Sequence, residues 1–134
     1  MKFKNNKGES IEIDATGWDP AEDWLIIRVR GSQSGSSWEG RDPCLTSKEA
    51  KAIVSWLESL SEKENSKITF MEPELEFHYR DGTLDIFLEW KLRPPWKPSN
   101  NEYDEKYSLS FEITTKELQK QAKIWETEVT DVIK

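Results

Sequence analysis

One imidazole and one thiol, His78 and Cys44, are all that the chain offers for nucleophilic or soft-metal chemistry. A nucleophilic triad needs a base held beside Ser, Cys or Thr. Strand alternation puts His78 on the face opposite Phe77 and Tyr79, so a Cys44–His78 pair would arise only by coincidence of fold. The simpler expectation is a small buried thiol and a surface imidazole. Zinc takes three or four ligands, mostly Cys and His, and two are too few. Glu72, Glu74 and Glu76 could gather a hard cation, since alternate strand residues share a face. Calcium loops, however, place a turn glycine among their ligands, and the trio reads more simply as a solvated strand face. Glu76 and Glu89 could form an acid–base pair if a hairpin through Asp81-Gly82 joined their strands. With 26 acidic residues in the chain, such proximity is commonplace. The stretch from Gly31 to Gly40 lacks the lysine of a phosphate loop, and no dinucleotide fingerprint occurs. The expectation is a protein with no cofactor, no metal and no catalytic residues.

What remains is tryptophan and charge. Trp96 sits between prolines in a polar stretch and Trp18 beside a glycine, both outside periodic core positions, where an aromatic ring can anchor a partner or fold back over a sheet edge. Acids outnumber bases by 26 to 19, giving a net charge of −7, and the bases are interleaved with acids throughout. Phosphate binding draws on clustered Lys and Arg, so nucleic acid is not an expected partner. An acidic chain is suited to meeting a basic protein, because complementary charge speeds encounter.

These residues must be carried by a fold, and 134 residues suit a single domain spanning 1–134. Phe3, Ile11, Ile13 and Ala15 alternate around the turn-like Asn5-Asn6-Lys7-Gly8, predicting two short strands. A loop is expected from Gly17 to Asp23. The strand Trp24 to Arg30 follows, with Leu25, Ile27 and Val29 on one face, and the Gly- and Ser-rich stretch Gly31–Ser37 should be a hairpin tip that returns Trp38–Asp42 onto it. Thr46 and Glu49 have capping-box spacing, and Ala50, Ile53, Leu57 and Leu60 predict a helix to about Glu62.

Strands are then expected at Lys67–Met71, Leu75–Tyr79, Leu84–Leu92 and Tyr107–Ile113, with a hairpin at Asp81-Gly82 and a break at Pro73. Leu84, Ile86, Leu88 and Trp90 would line one face. Arg93–Lys106, with three prolines, is a long loop. Thr114 and Glu117 repeat the capping-box spacing before Leu118, Ala122, Trp125, Val129 and Val132. The fold class is therefore α+β, an antiparallel sheet of about six strands with one helix between strands and one C-terminal helix packed on it.

Several of these segments together resemble a known family. Asp23-Trp24-Leu25 opens a strand, Trp38–Leu45 (WEGRDPCL) leads into a helix carrying Trp56–Leu60 (WLESL), and Phe70–Phe77 (FMEPELEF) precedes a strand that ends near Arg93-Pro94-Pro95-Trp96. With the capped C-terminal helix, this order is similar to that of the WapI-type immunity proteins over nearly the whole chain. The resemblance implies a small bacterial cytosolic protein that binds and neutralises the C-terminal toxin domain of a contact-delivered polymorphic toxin, in the founding case one that cleaves tRNA. It implies an inhibitor without catalysis.

A single thiol and an N-terminus lacking an apolar stretch agree with a cytoplasmic expectation, and no segment is apolar enough for a membrane helix. The alternative is a small ligand-binding domain or carboxylate-dependent hydrolase using the sheet face. For the inhibitor, the expected partner contacts come from charge. From Thr69 to Trp90, six acids face Arg80 alone. Alternation groups Glu74 and Glu76 with Asp85 and Glu89 in one negative patch, with Trp96 adjoining as an anchor.

Overall fold

In a computed structural model, which describes residues 1–97 and 106–134, the chain forms eight strands and two α-helices. The first four strands, β1 (Lys2–Lys4), β2 (Ser10–Asp19), β3 (Trp24–Gln33) and β4 (Ser36–Leu45), make an antiparallel meander in chain order. Helix α1 (Ser47–Ser59) follows. The next four, β5 (Asn65–Ile68), β6 (Leu75–Arg80), β7 (Thr83–Leu88) and β8 (Tyr107–Glu112), make a second meander, and helix α2 (Thr115–Ile133) comes after it. The α+β class and the placement of both helices agree with the sequence. The strands number eight and divide into two sheets of four, in place of one sheet of about six.

Local sequence explains most of the elements. Thr46 caps α1 by accepting from the Glu49 amide at 3.1 Å, while Glu49 Oε1 accepts from the Thr46 amide at 3.0 Å. This reciprocal box satisfies two donors that the first helical turn leaves open. Thr114 does the same for the Glu117 amide at the start of α2. Asp81 and Gly82 both adopt positive φ between β6 and β7, the geometry of a tight hairpin turn. Pro73 lies in the irregular link between β5 and β6, outside both ladders, as its missing N–H requires.

The core is one cluster shared by both sheets and both helices. Each sheet turns one apolar face inward: Ile13, Leu25, Ile27 and Val29 from the first, and Phe77, Ile86, Leu109 and Phe111 from the second, are all buried. Rings join the layers. Phe3 of β1 meets Phe111 of β8 at 5.9 Å, and Trp56 of α1 stacks on Phe77 of β6 at 6.2 Å. The two helices pack on each other, with the buried Trp125 indole donating to the Ala50 carbonyl at 2.9 Å. Edge groups are capped by side chains: Gln121 of α2 accepts from the Lys2 amide, and Asn5 donates to the Ser110 carbonyl on β8. An unpaired strand edge invites pairing with other chains, and these bonds occupy part of it.

Several boundaries differ from expectation: β5 is Asn65–Ile68 in place of Lys67–Met71, and the expected tip Gly31–Ser37 is mostly taken into the ladder of β3 and β4, leaving a turn at Ser34-Gly35. Gly17 to Asp19 continue β2 as a ladder with Trp24 to Ile26, because a register shift between Ala15 and Gly17 lets the strand bend and keep pairing. Helix α1 ends at Ser59, with Leu60 extended. Strand β7 stops at Leu88, and Trp90–Leu92 form a short 3₁₀ turn. Residues 98–105 of the expected long loop lie outside the described residues.

Two substitutions test this packing. Leu57→Ala should lower unfolding free energy by about 2–5 kcal/mol in urea titration, since Leu57 is fully enclosed where α1 meets the core. A Cβ on Gly40 would stand 2.1 Å from the Lys91 carbonyl oxygen. Gly40→Ala should therefore cost about 1–3 kcal/mol by the same measurement, although β4 is a strand in which alanine is ordinarily harmless.

Candidate functional site

The residues singled out for partner contact fall into three settings. Glu76 lies on the outer face of the second sheet, half-buried, with Oε2 2.5 Å from His78 Nε2 and Oε1 3.4 Å from Lys106 Nζ. Asp85 is on the same face but buried. It accepts from Arg80 Nε at 2.8 Å and from Ser110 Oγ at 2.6 Å. The cross-strand pairing of His78 with Asp85 places these groups side by side. This face is thus a lattice of matched charges, with the negative charge of both acids offset by neighbouring bases.

Glu74 and Glu89 sit beyond the ends of β6 and β7, where the Glu89 amide donates to the Glu74 carbonyl at 2.9 Å. Their side chains leave the outer face. Glu89 Oε2 lies 3.6 Å from Arg93 Nη1, an ion pair whose two side chains are both largely buried. Glu74 is only 3% exposed, lies beside Asp42 of β4, and keeps Oε2 buried without a hydrogen-bond partner. Two adjoining carboxyl groups avoid repelling each other if one keeps a proton. Burial first, then the proximity and charge of Asp42 and the charge of Glu72, push the Glu74 carboxyl up to about 8, with Lys91 pulling the other way. The expected single patch of Glu74, Glu76, Asp85 and Glu89 is therefore split between an outer sheet face and a buried corner.

That corner is built by a close approach between chain segments. The Trp38 indole donates to the Leu92 carbonyl at 3.1 Å, and the turn Trp90–Leu92 lies against the bare backbone of Gly40. Leu92 is buried, so the chain leaving β7 must reverse within two residues, and Trp90 takes φ 50°, left-handed for a residue with a Cβ. Such a conformation costs about 1–3 kcal/mol and persists only where surrounding contacts impose it. The reversal turns Trp90 out to solvent at 61% exposure, away from the Leu84–Leu88 face on which alternation had placed it. Trp96, 39% exposed, rests edge-on against Trp38 at 5.6 Å. Trp18 folds back, its indole donating to Asp23 Oδ1 at 2.8 Å.

For chemistry, these placements matter as follows. Cys44 is buried on β4, and burial together with the charges of Glu74, Asp42, Glu49 and Glu72 raises its thiol well above the ordinary value, which opposes the nucleophilic thiolate. It lies in the core, whereas His78 lies on an outer face. Glu72, Glu74 and Glu76 diverge, with Glu74 directed to Asp42 and Glu76 to His78. Among the described residues, no group of three or more His, Cys, Asp or Glu is arranged to hold a metal ion.

Comparison with known proteins then decides how to read the surface. The model of the immunity protein WapI-like family matches residues 2–132. The chain belongs to that family. No curated protein and no solved structure matches it. In a WapI-like immunity protein, the informative features are what the surface presents and what holds it rigid. Trp90 and the Glu74–Asp42 pair are the two that alternation did not place, because both follow from the contact of β4 with the turn after β7.

The buried carboxyl pair has a measurable consequence. A carboxyl held to about 8 in the fold, against 4.5 in the unfolded chain, keeps its proton in the folded state through the interval between those values. Its contribution is fully present below the unfolded pKa and is lost as pH rises through the folded one. Stability should therefore fall between pH 5 and pH 8, by up to about 1.4 kcal/mol per pH unit. In Glu74→Gln, whose amide can donate to Asp42 at any pH, this slope should be absent in urea titrations run across the range. An equal slope in both proteins would refute the retained proton.

Proposed function

We propose that the chain is a cytosolic immunity protein that binds the C-terminal toxin domain of a contact-delivered bacterial polymorphic toxin and neutralises it by stoichiometric, non-covalent binding. The observation that carries this reading is the match of the WapI-like immunity family across residues 2–132. No helix among the described residues is long and apolar enough to cross a membrane. The net charge of −7 suits a basic partner such as a nuclease domain, whose active site must hold phosphates. Inhibition of this kind uses no cofactor and no catalytic residue of the inhibitor.

Of the five residues marked for contact, Trp96 and Glu76 retain accessible surface and would touch the partner directly. Glu89 keeps about as much accessible surface as Glu76 but is held by Arg93, whereas Asp85, bonded to Arg80, and Glu74, beside Asp42, are buried and would support that surface from beneath.

The test is co-expression with the toxin domain encoded beside the gene for this chain. The expected outcome is restored growth and a purified complex of the two chains. Because steering between unlike charges is screened by salt, the association rate should drop by roughly tenfold or more between 50 and 500 mM salt. Growth arrest despite full expression of the folded chain, with no complex on purification, would defeat the reading.

A further inference from the structure

We infer that the corner formed by Trp90, Lys91, Asp42 and Glu74 is the anchor point for the partner, with the Trp90 indole entering an apolar pocket and the Asp42–Glu74 carboxyl pair receiving a lysine or arginine side chain. This rests on the immunity reading and names the surface and the partner chemistry that the reading leaves open.

Exposure is the first ground. Trp90 at 61% and Met71 at 74% are the most exposed large apolar side chains of the described residues, and both lie at the end of the second sheet where the Glu89–Glu74 backbone bond joins the segments that carry them. Tryptophan is enriched among the few residues that dominate binding energy, and methionine among interface residues. Rigidity is the second. The Trp90 backbone is fixed on one side by the Glu89 amide on Glu74 and on the other by the buried Leu92, whose carbonyl receives the Trp38 indole. The backbone that carries the indole is thus fixed, and the partner has only the side chain itself to order.

Charge selects the occupant. Asp42, Glu72 and Glu74 at this corner face one base, Lys91, whose ammonium stands 3.5 Å from Asp42 Oδ1 on a side chain that is three-quarters exposed. An ion pair so open to water is weak and easily exchanged. A partner ammonium or guanidinium can take its place and reach the pair beneath. The groups facing Glu74 are Asp42 of β4, Glu72 of the β5–β6 link and Lys91 of the 3₁₀ turn, with the un-ionised Cys44 nearby on β4. The buried Glu74 Oε2 has no hydrogen-bond partner, and a cation that reaches it favours the ionised carboxylate, so the proton that Glu74 holds near neutral pH passes to solvent. Binding is therefore coupled to proton release.

The experiment uses the full chain and the catalytically inactivated toxin domain encoded beside its gene, titrated calorimetrically at pH 7 in buffers of different ionisation enthalpy. Wild type should release about one proton on binding. Trp90→Gly accepts the left-handed backbone without strain and removes only an exposed ring, so it should melt at or above the wild-type temperature while weakening Kd by about tenfold or more. Glu74→Gln should fold, and bind with no proton release. Trp90→Asn, which also tolerates positive φ, replaces the glycine variant if that variant shows no cooperative melting transition. Wild type that fails to bind the toxin domain overturns the immunity reading itself. Wild type that binds, with the Trp90 variant within twofold of it, overturns the indole anchor, and proton release unchanged in Glu74→Gln overturns the carboxyl pair.

Discussion

The donation from the buried Trp38 indole to the Leu92 carbonyl, made possible by glycines at 31 and 40, is the constraint on which the rest of the arrangement turns. A Cβ at Gly31 would fall 2.1 Å from the Trp38 ring, and one at Gly40 would meet the Lys91 carbonyl at the same distance. Two bare positions on neighbouring strands therefore let a large ring lie flat on the first sheet and let the chain leaving the second sheet come down beside it. Tyr107 at 5.9 Å and Trp96 at 5.6 Å then pack edge-on against the same indole. Such edge contacts suit the aromatic quadrupole and add to the burial of the rings. Through this one residue the first meander is joined to the segment leaving the second, beside the links of Phe3 to Phe111 and Gln33 to Tyr107, while the helices meet through Trp125 and Ala50.

Each sheet has one apolar face, and neither could stand alone in water with that face bare. Sharing a core solves this for both sheets, but it concentrates polar groups where the connecting segments cross the rim. Asp42, Glu74, Glu89 and Arg93 are the result. Their partners are one another, through a retained proton or an enclosed ion pair. The outer face of the second sheet follows the opposite rule, since Glu76, His78, Arg80, Asp85 and Lys106 compensate one another in the open. A surface so matched gives little net attraction, whereas the rim keeps an excess of acid.

Sequence reading succeeded where the determining contacts are local. Both capped helix starts, the Asp81-Gly82 turn, the Pro73 break and the buried set Leu25, Ile27 and Val29 are fixed by neighbours within a few residues, and they stand as read. The division into two sheets was not legible, because nothing local tells β5 whether to extend the first meander or found a second. Trp90 was misplaced for a related reason. Alternation predicts its face only while the strand continues, and the strand is cut short at Leu88 by the approach of Gly40, fifty residues earlier in the chain. Glu74 fits every pattern of a solvated strand residue; only the position of Asp42 makes it a buried acid. The candidate surface was thus visible as composition and invisible as geometry.

The bond from the Lys2 amide to Gln121 and the insertion of Trp125 against Ala50 also bear on the order in which the molecule can be made. On the ribosome, β1 to β4 and α1 emerge first, and every ladder among them is a local hairpin that closes at small entropic cost. Yet their apolar face, with Ile13 and Ile27 at its centre, is fully covered only once the second meander and then α2, some seventy residues behind the first meander, have followed. During translation the nascent chain must therefore carry an open, greasy half-shell, and release of the last helix is the event that seals it. The protein becomes complete in a late step, so a chain stalled before Thr115 would be a substrate for chaperones and proteases.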